Sequence, residues 1–536
     1  MRVLSADLWA PAPGRVLTWD VTPGAGLAPA PAPMTFNQRN HLLGAQAGEP
    51  SVWIAAAFDV DGPVDVDALE AAFQDLVAGH PGLWVEAVRR PAAGPAATDG
   101  PGDTVGLVRH DPARLVWRRQ DGALARTVEA TREHLVAELA RRCAPFGYPA
   151  FLPAAISRPD RSTIVLGLDH LHTDAWSTTV VVDELAALYA AHTWCAAPVL
   201  AMAGAAVLPM AGAVAVRRST ASPLPMTVAL PMTVARPTAT TFPMTTPLPI
   251  AATFPRVAAA PTLSLDVPAP PVGPARGPAY VGVDDPRLAT WHGFLRDRDW
   301  ALPAFPLPLG VPDGERLPQR TVVRPLADAV TADAVAARAR AVGASTSAAV
   351  LATFARAVAD LGGPAVLETL LPVHTRADEP ARRAVGWHTT TVPLRIEVDT
   401  PALAGAWALA RAGADAVTDV ALAATGKALR AARELSAVPL EQVVETLPRP
   451  LRFPRRDIFQ VSYLDYRRLP GHAAAAERRA HHISAATRAD DLQVWVSRTA
   501  DGVAVRARMP RTAVAVATVD ALLARWATRL TELATG

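Results

Sequence analysis

One stretch constrains the chain more than any other: Ile164-Val165-Leu166-Gly167-Leu168-Asp169-His170-Leu171-His172-Thr173-Asp174-Ala175-Trp176-Ser177. It opens as a β-branched and apolar run, which predicts a buried strand. It turns polar at Asp169. Ser177 is a good helix N-cap, and Val180-Val181-Val182 with Leu185 and Leu188 predicts the helix that follows. Two histidines and two aspartates therefore sit where a buried strand runs out into a strand-to-helix loop, a common way to deliver titratable groups to an active site.

A chain of 536 residues is too long for one ordinary core, so two or more lobes are expected. Hydrophobic residues are 50% and charged residues 19%, which suits a globular interior, and a net charge of +2 gives no reason to expect nucleic acid as a partner. Lys427 is the sole lysine; with the heavy Ala, Pro and Val usage this is the coding bias of a GC-rich genome such as an actinobacterium's, not chemistry. Cys143 and Cys195 lie far apart and make neither a zinc motif nor a disulfide framework, which fits a reducing cytoplasm. Met1 to Asp20 lacks the basic and apolar regions of a signal peptide.

Residues 1–33 are Pro- and Ala-rich and are expected to be poorly ordered. An N-terminal lobe is expected over 34–192, with a strand at Val52–Val60, a helix from Val66 that ends near His80-Pro81-Gly82, a strand over Leu83–Val88, and a helix over Thr127–Arg142. Residues 193–277 differ: Pro-Met-Thr begins at Pro225, Pro231 and Pro243, and no acidic residue occurs before Asp266. Such a tract cannot repay its ordering entropy by burial and is expected to be a disordered insert. Its uncharged start, Thr193–Val216, has the length of a bilayer span but is mostly Ala, Gly and Val with two prolines, which argues against one. A C-terminal lobe is expected over 278–536: an apolar strand Val366–Val373 ending at His374-Thr375-Arg376, Gly386-Trp387 leading into strand Ile396–Val398, helices over Leu403–Val417 and Ala421–Leu435, three further strands and a closing helix. Mixed elements on both sides of a linker predict two α/β lobes.

Asp169-His170-Leu171-His172-Thr173-Asp174-Ala175 resembles the His-His-x-x-x-Asp-Gly motif of condensation domains, a group that includes those of non-ribosomal peptide synthetases and the polyketide-associated acyltransferases of actinobacteria. Phe36-Asn37-Gln38 is similar to the family's early Ser-x-x-Gln segment, and Val64 to Leu83 to its helix ending in His-x-x-Leu. Leu371-Pro372-Val373-His374-Thr375-Arg376 and Gly386-Trp387 through Arg395 are similar to its two C-terminal signatures, in the right order. With no carrier or adenylation module attached, the chain is most like the stand-alone, Pap-type acyltransferases.

The resemblance implies two chloramphenicol-acetyltransferase-like lobes in a V around a central substrate tunnel. An acyl thioester, on coenzyme A or the phosphopantetheine of an acyl-carrier protein, enters from one face and a hydroxyl or amine acceptor from the other, in glycolipid or secondary-metabolite biosynthesis. His170 falls on the catalytic histidine. Asp174 falls on an aspartate that pairs with an arginine and shapes the loop, with Arg376 the first-choice partner and Arg395 the second. Trp176, Trp387, His388 and Thr389 are expected along the tunnel. No bound cofactor or metal is implied. The setting expected is cytoplasmic, at the inner face of the membrane for a lipidic product, with at most peripheral membrane contact. The sequence departs from the motif twice: Asp169 replaces the first histidine, a position that is usually structural, and Ala175 replaces the glycine, where a methyl narrows the substrate path or forbids positive φ if the loop needs it.

Three rivals stand beside this reading. A peptide-synthetase amide-forming protein is disfavoured by the lack of an Asp-Phe-Gly-Trp-Gly element. A degenerate binding module would keep the fold without catalysis. His170-x-His172-x-Asp174 also resembles part of the His-x-His-x-Asp-His signature of metal-dependent hydrolases, but Ala175 stands at its last ligand. His481-His482 lies in an Arg-rich segment expected to be exposed and without a role, and Trp495 is expected in the core.

Overall fold

The computed structural model describes residues 1–30, 34–91, 103–196, 279–398 and 414–536. Two seven-stranded sheets form two lobes, and a three-stranded sheet of Leu27–Pro29, Asp103–His110 and Val85–Pro91 flanks the first. Most of the expected insert and the Leu403–Val417 helix lie outside the described residues.

The N-terminal sheet runs Arg2–Ser5, His481–Ser484, Trp53–Asp61, Arg161–Asp169, Phe151–Ser157, Arg15–Thr22 and Val116–Leu124. Strand Arg161–Asp169 is apolar at successive positions because both of its faces are covered. Ile164, Leu166 and Leu168 pack with Leu69, Phe73 and Leu76 of helix Val66–Gly79 and with Val181 and Leu185 of helix Ala175–Ala196. Val165 points the other way, into a core with Leu135 and Leu139 of helix Val128–Arg142. Gly167 shares that face and lets the helix close in: a Cβ there would meet Leu139 Cδ2 at 2.0 Å.

The C-terminal sheet runs Thr389–Glu397, Val366–His374, Gln460–Asp465, Gln493–Thr499, Gly502–Pro510, Leu317–Asp328 and Arg488–Ala489. Helices Ala329–Ala341, Thr346–Asp360, Ala414–Glu434 and Ala513–Thr535 pack over it around Leu351, Phe354, Val494 and Trp526. No single helix among the described residues is long and apolar enough to cross a membrane.

Several expectations are corrected. Residues 1–30 are not poorly ordered: Arg15–Thr22 is an inner strand of the first sheet, and Trp19 on it is 1% exposed. Its alternating apolar residues outweigh the surrounding Pro and Ala. The N-terminal lobe therefore starts before residue 34, and its last helix runs past 192 to Ala196. His481-His482 is not an exposed segment. It forms an inner strand of the N-terminal sheet, parallel to Arg2–Ser5 and antiparallel to Trp53–Asp61, so the C-terminal part of the chain lends a strand to the first lobe. Ser177 is not the N-cap either: the helix begins at Ala175, and the Ser177 N–H donates to Asp174 Oδ1 at 2.8 Å.

Candidate active site

At the end of strand Arg161–Asp169 the chain makes one 3-10 turn, His170–His172, before the helix. The His170 N–H still donates at 2.9 Å to Val52 O, just ahead of the neighbouring strand Trp53–Asp61, so the backbone of the turn is anchored beside the sheet. His170 Nδ1 lies 2.9 Å from Thr173 O. A carbonyl only accepts, so Nδ1 carries the proton and Nε2 keeps a lone pair. Trp387 stacks on the imidazole, with ring centroids 3.9 Å apart. Burial is the main reason the His170 pKa falls to about 4, with His41 adding to it; the ring is neutral at physiological pH.

Asp174 is the hub of the loop. Arg376 Nη1 donates to its Oδ2 at 2.7 Å and Nη2 to its Oδ1 at 3.0 Å. Ser177 donates to Oδ1 from its N–H and its hydroxyl. The His388 N–H and the Thr389 hydroxyl each donate to Oδ2 at 3.1 Å. Burial alone would raise the carboxyl pKa; the Arg376 charge and this donor set overcome it and hold the pKa far below the usual range. Arg376 also donates to the carbonyls of Ala384 and Gly386, so one buried pair ties the motif loop of the first lobe to the 384–389 segment of the second. Arg395, the second choice, lies elsewhere, paired with Glu368 and Asp297.

Asp169 does not stand in for a catalytic histidine. Its Oδ1 accepts the Leu171 N–H and the ring of His41, both at 2.8 Å, capping the turn and holding His41 with its ring centroid 6.3 Å from that of His170. Ala175 has an ordinary helical backbone rather than a positive φ, so the loop does not require glycine there. Trp176 donates to Arg382 O and lies under the Arg376 guanidinium, 5.4 Å from its ring centroid. Burial and Arg376 lower the His388 pKa to about 4. The early segment also reaches the site: Gln38 Nε2 donates to Leu171 O, and Asn37 Nδ2 to Thr389 O.

His170, His172 and Asp174 do not form a ligand set. His172 Nδ1 is bonded to Gly82 O, and Asp174 is taken by Arg376. Among the described residues no three His, Cys, Asp or Glu side chains are arranged to hold a metal ion.

Two participants are invisible in the motif. His41 follows the early segment by three residues. His482 is 2% exposed, and its Nδ1 lies 3.2 Å from the Thr178 hydroxyl, one turn into the helix after the loop. No local pattern marks either; pairing of distant strands brings His482 in.

Among solved structures, the chain is similar over 100% of both chains to PapA2 acyl transferase, with TM-score 0.71 and 19% identity. It is also similar to the cyclization-docking bidomain of EpoB from Sorangium cellulosum, over 96% of this chain and 88% of that one, with TM-score 0.56 and 14% identity. The condensation domain of the polyketide synthase MokA matches over 96% and 99%, with TM-score 0.53 and 13% identity. The chain has the condensation-domain fold. By sequence it is 32% identical over 179 residues to phosphinothricin tripeptide synthetase PhsB of Streptomyces viridochromogenes; the match covers 32% of this chain and 14% of that protein's length. No family model matches.

Proposed function

We propose that the protein is an acyltransferase that moves an acyl group from a thioester, on coenzyme A or a carrier protein, to a hydroxyl acceptor. The observation that carries this is the Nε2 lone pair of a half-buried, neutral His170, fixed by its Nδ1 bond to Thr173 O and stacked on Trp387. As the acceptor oxygen attacks the thioester carbonyl, Nε2 takes the hydroxyl proton. The C–O bond forms, the C–S bond breaks, and the proton passes to the departing thiolate. Asp174 and Arg376 keep the loop in place without touching the reactants. The two substrates enter between the lobes from opposite faces, and Trp387, His388 and Thr389 line their meeting point. The missing peptide-synthetase element favours ester over amide formation. Acyl thioesters are cytoplasmic metabolites, which makes the cytoplasm the compartment of action.

The test is turnover of a long-chain acyl-CoA by wild type and His170→Ala, each with and without a chelator. Removing the general base is expected to cost about 10²- to 10⁴-fold. Equal turnover in the two proteins would refute the role of His170, and abolition by chelator would revive the metal-hydrolase rival.

A further inference from the structure

Asp169 is fully buried, and no arginine or lysine lies within ion-pair distance of it among the described residues. Its Oδ1 accepts two hydrogen bonds, from the Leu171 N–H and from His41, while its Oδ2 is buried without a partner. A buried carboxylate left without a counter-charge is costly. The His41 ring, 2.8 Å from Oδ1, is the one group among the described residues placed to supply that charge.

The helix that carries His41 fixes where the ring stands. Phe36–Gln46 opens with a capping box between Thr35 and Gln38, and Asn37 and Gln38 share a side with His41 by the i+4 and i+3 spacing. That side is clamped on the motif turn: Gln38 reaches Leu171 O at 3.2 Å, Asn37 reaches Thr389 O at 2.8 Å, and His41 reaches Asp169. A carboxylate only accepts, so His41 Nε2 carries a proton and Nδ1 is the nitrogen left to gain or lose one. Nδ1 has no hydrogen-bond partner among the described residues and is not sealed from solvent. His41 lines a cavity of about 400 Å³ with Asn40, Ser51 and Phe146. Trp387 packs with both imidazoles, stacked on His170 at 3.9 Å and edge-on to His41 at 6.0 Å, and the two imidazole centroids are 6.3 Å apart.

Acyl transfer uses a base for the hydroxyl and an acid for the sulfur, and two titratable groups in opposed surroundings divide such roles. His170 faces a carbonyl and is held neutral; His41 faces a carboxylate. We propose that His41, backed by Asp169, is a second catalytic residue, the acid that protonates the leaving sulfur. The inference rests on the acyl-transfer reading. His170 Nε2 takes the hydroxyl proton, the C–O bond forms, the C–S bond breaks, and the thiolate takes the Nδ1 proton of His41. Asp169 then holds a neutral imidazole through its Nε2–H. The proton on His170 returns to His41 through water once the products leave, so the net transfer is one proton from hydroxyl to thiol.

The experiment measures thiol release from two donors with the same long acyl chain, its coenzyme A ester and its para-nitrothiophenol ester. The full chain is used as wild type, His41→Gln, Asp169→Asn and His170→Ala. The aryl thiolate is a weak base that departs without a proton. His41→Gln keeps a donor for Asp169 Oδ1 but has no proton to give in place of the one on Nδ1. Its kcat/KM is expected to fall about 10²-fold with acyl-CoA and by less than about fivefold with the aryl ester, since general acid catalysis matters only for the poorer leaving group. Asp169→Asn keeps an acceptor for the Leu171 N–H and loses the charge, so it should shift the ratio of the two donors in the same direction. His170→Ala should lose both donors alike. A ratio taken on one sample is unaffected by any fraction that fails to fold. Equal losses on both donors in His41→Gln, the signature of a structural role, or no loss at all, would overturn the proposal and leave the role of His170 intact. A ratio shift in His170→Ala instead would give both roles to His170 and also overturn it. Wild-type turnover in His170→Ala would sink the acyl-transfer reading and this proposal with it.

Discussion

Asp174→Ala strands a guanidinium. Arg376 is 3% exposed and gives two hydrogen bonds to the carboxylate that the substitution removes. Breaking a buried pair from one side costs about 3–5 kcal/mol, mostly the penalty of the charge left behind. The structured unit holds about 460 residues; at about 2.1 cal/mol/K each, its unfolding entropy is about 1 kcal/mol/K. If the unit unfolds together, Tm should therefore fall by about 3–5 °C. The two singles should differ in pH dependence. The Asp174 carboxyl is depressed in the fold, so the stability it supplies is present above the normal carboxylate range and lost only as pH falls through the depressed value. Asp174→Ala should then cost the same from pH 5 to 8, because a guanidinium cannot shed its charge. Arg376→Ala leaves a buried carboxylate that can take up a proton, so its cost should shrink toward pH 5. The double variant should lose less than the sum of the singles. Thermal and urea unfolding of all four proteins provide the assay. An Asp174→Ala protein within 1 °C of wild type, or strictly additive losses, would refute the reasoning that this pair holds the loop.

Further outcomes follow from the same geometry. With the His170 pKa depressed to about 4, kcat/KM should stay nearly flat as pH falls from 7.5 to 5.5, because the neutral base persists; an unperturbed histidine, titrating near 6.5, would lose about tenfold at pH 5.5. An acid limb centred between 6 and 7 in the pH–rate profile would contradict the depressed imidazole. Gly167→Ala should destabilise by about 1–3 kcal/mol by driving a methyl into Leu139, read by urea unfolding. Ala175→Gly, which restores the motif glycine, should not rescue or raise turnover, since the helical backbone there needs no glycine; it should cost at most about 0.5–1 kcal/mol. A large gain in kcat would show that the Ala175 methyl obstructs the substrate.

The parts of the site legible in the sequence were those in which chemistry and local structure coincide. Ile164 to Asp174 reads as strand, turn and titratable cluster because each step is local, whereas Arg376 was named as the partner of Asp174 only through the resemblance to the condensation-domain signatures. His482 was missed for the opposite reason. It lies on a strand whose neighbours come from far along the chain, and no window of sequence shows that His482 joins the N-terminal sheet between residues 2–5 and 53–61. The first thirty residues were misjudged on composition, because Pro and Ala around Arg15–Thr22 hid an alternation whose value depends on strands Phe151–Ser157 and Val116–Leu124 lying on either side.

By itself the sequence determined the α/β character, the two-lobe organisation and the loop with His170 and Asp174, because hydrophobic period and helix signals act over short range. The tertiary structure decided what lies opposite those residues: Trp387 on the imidazole, six donors on Asp174, and Asp169 holding His41. These depend on which strands pair and which faces close. Pairing free energy is spread over hundreds of weak contacts between distant segments, and no single stretch of the chain carries it.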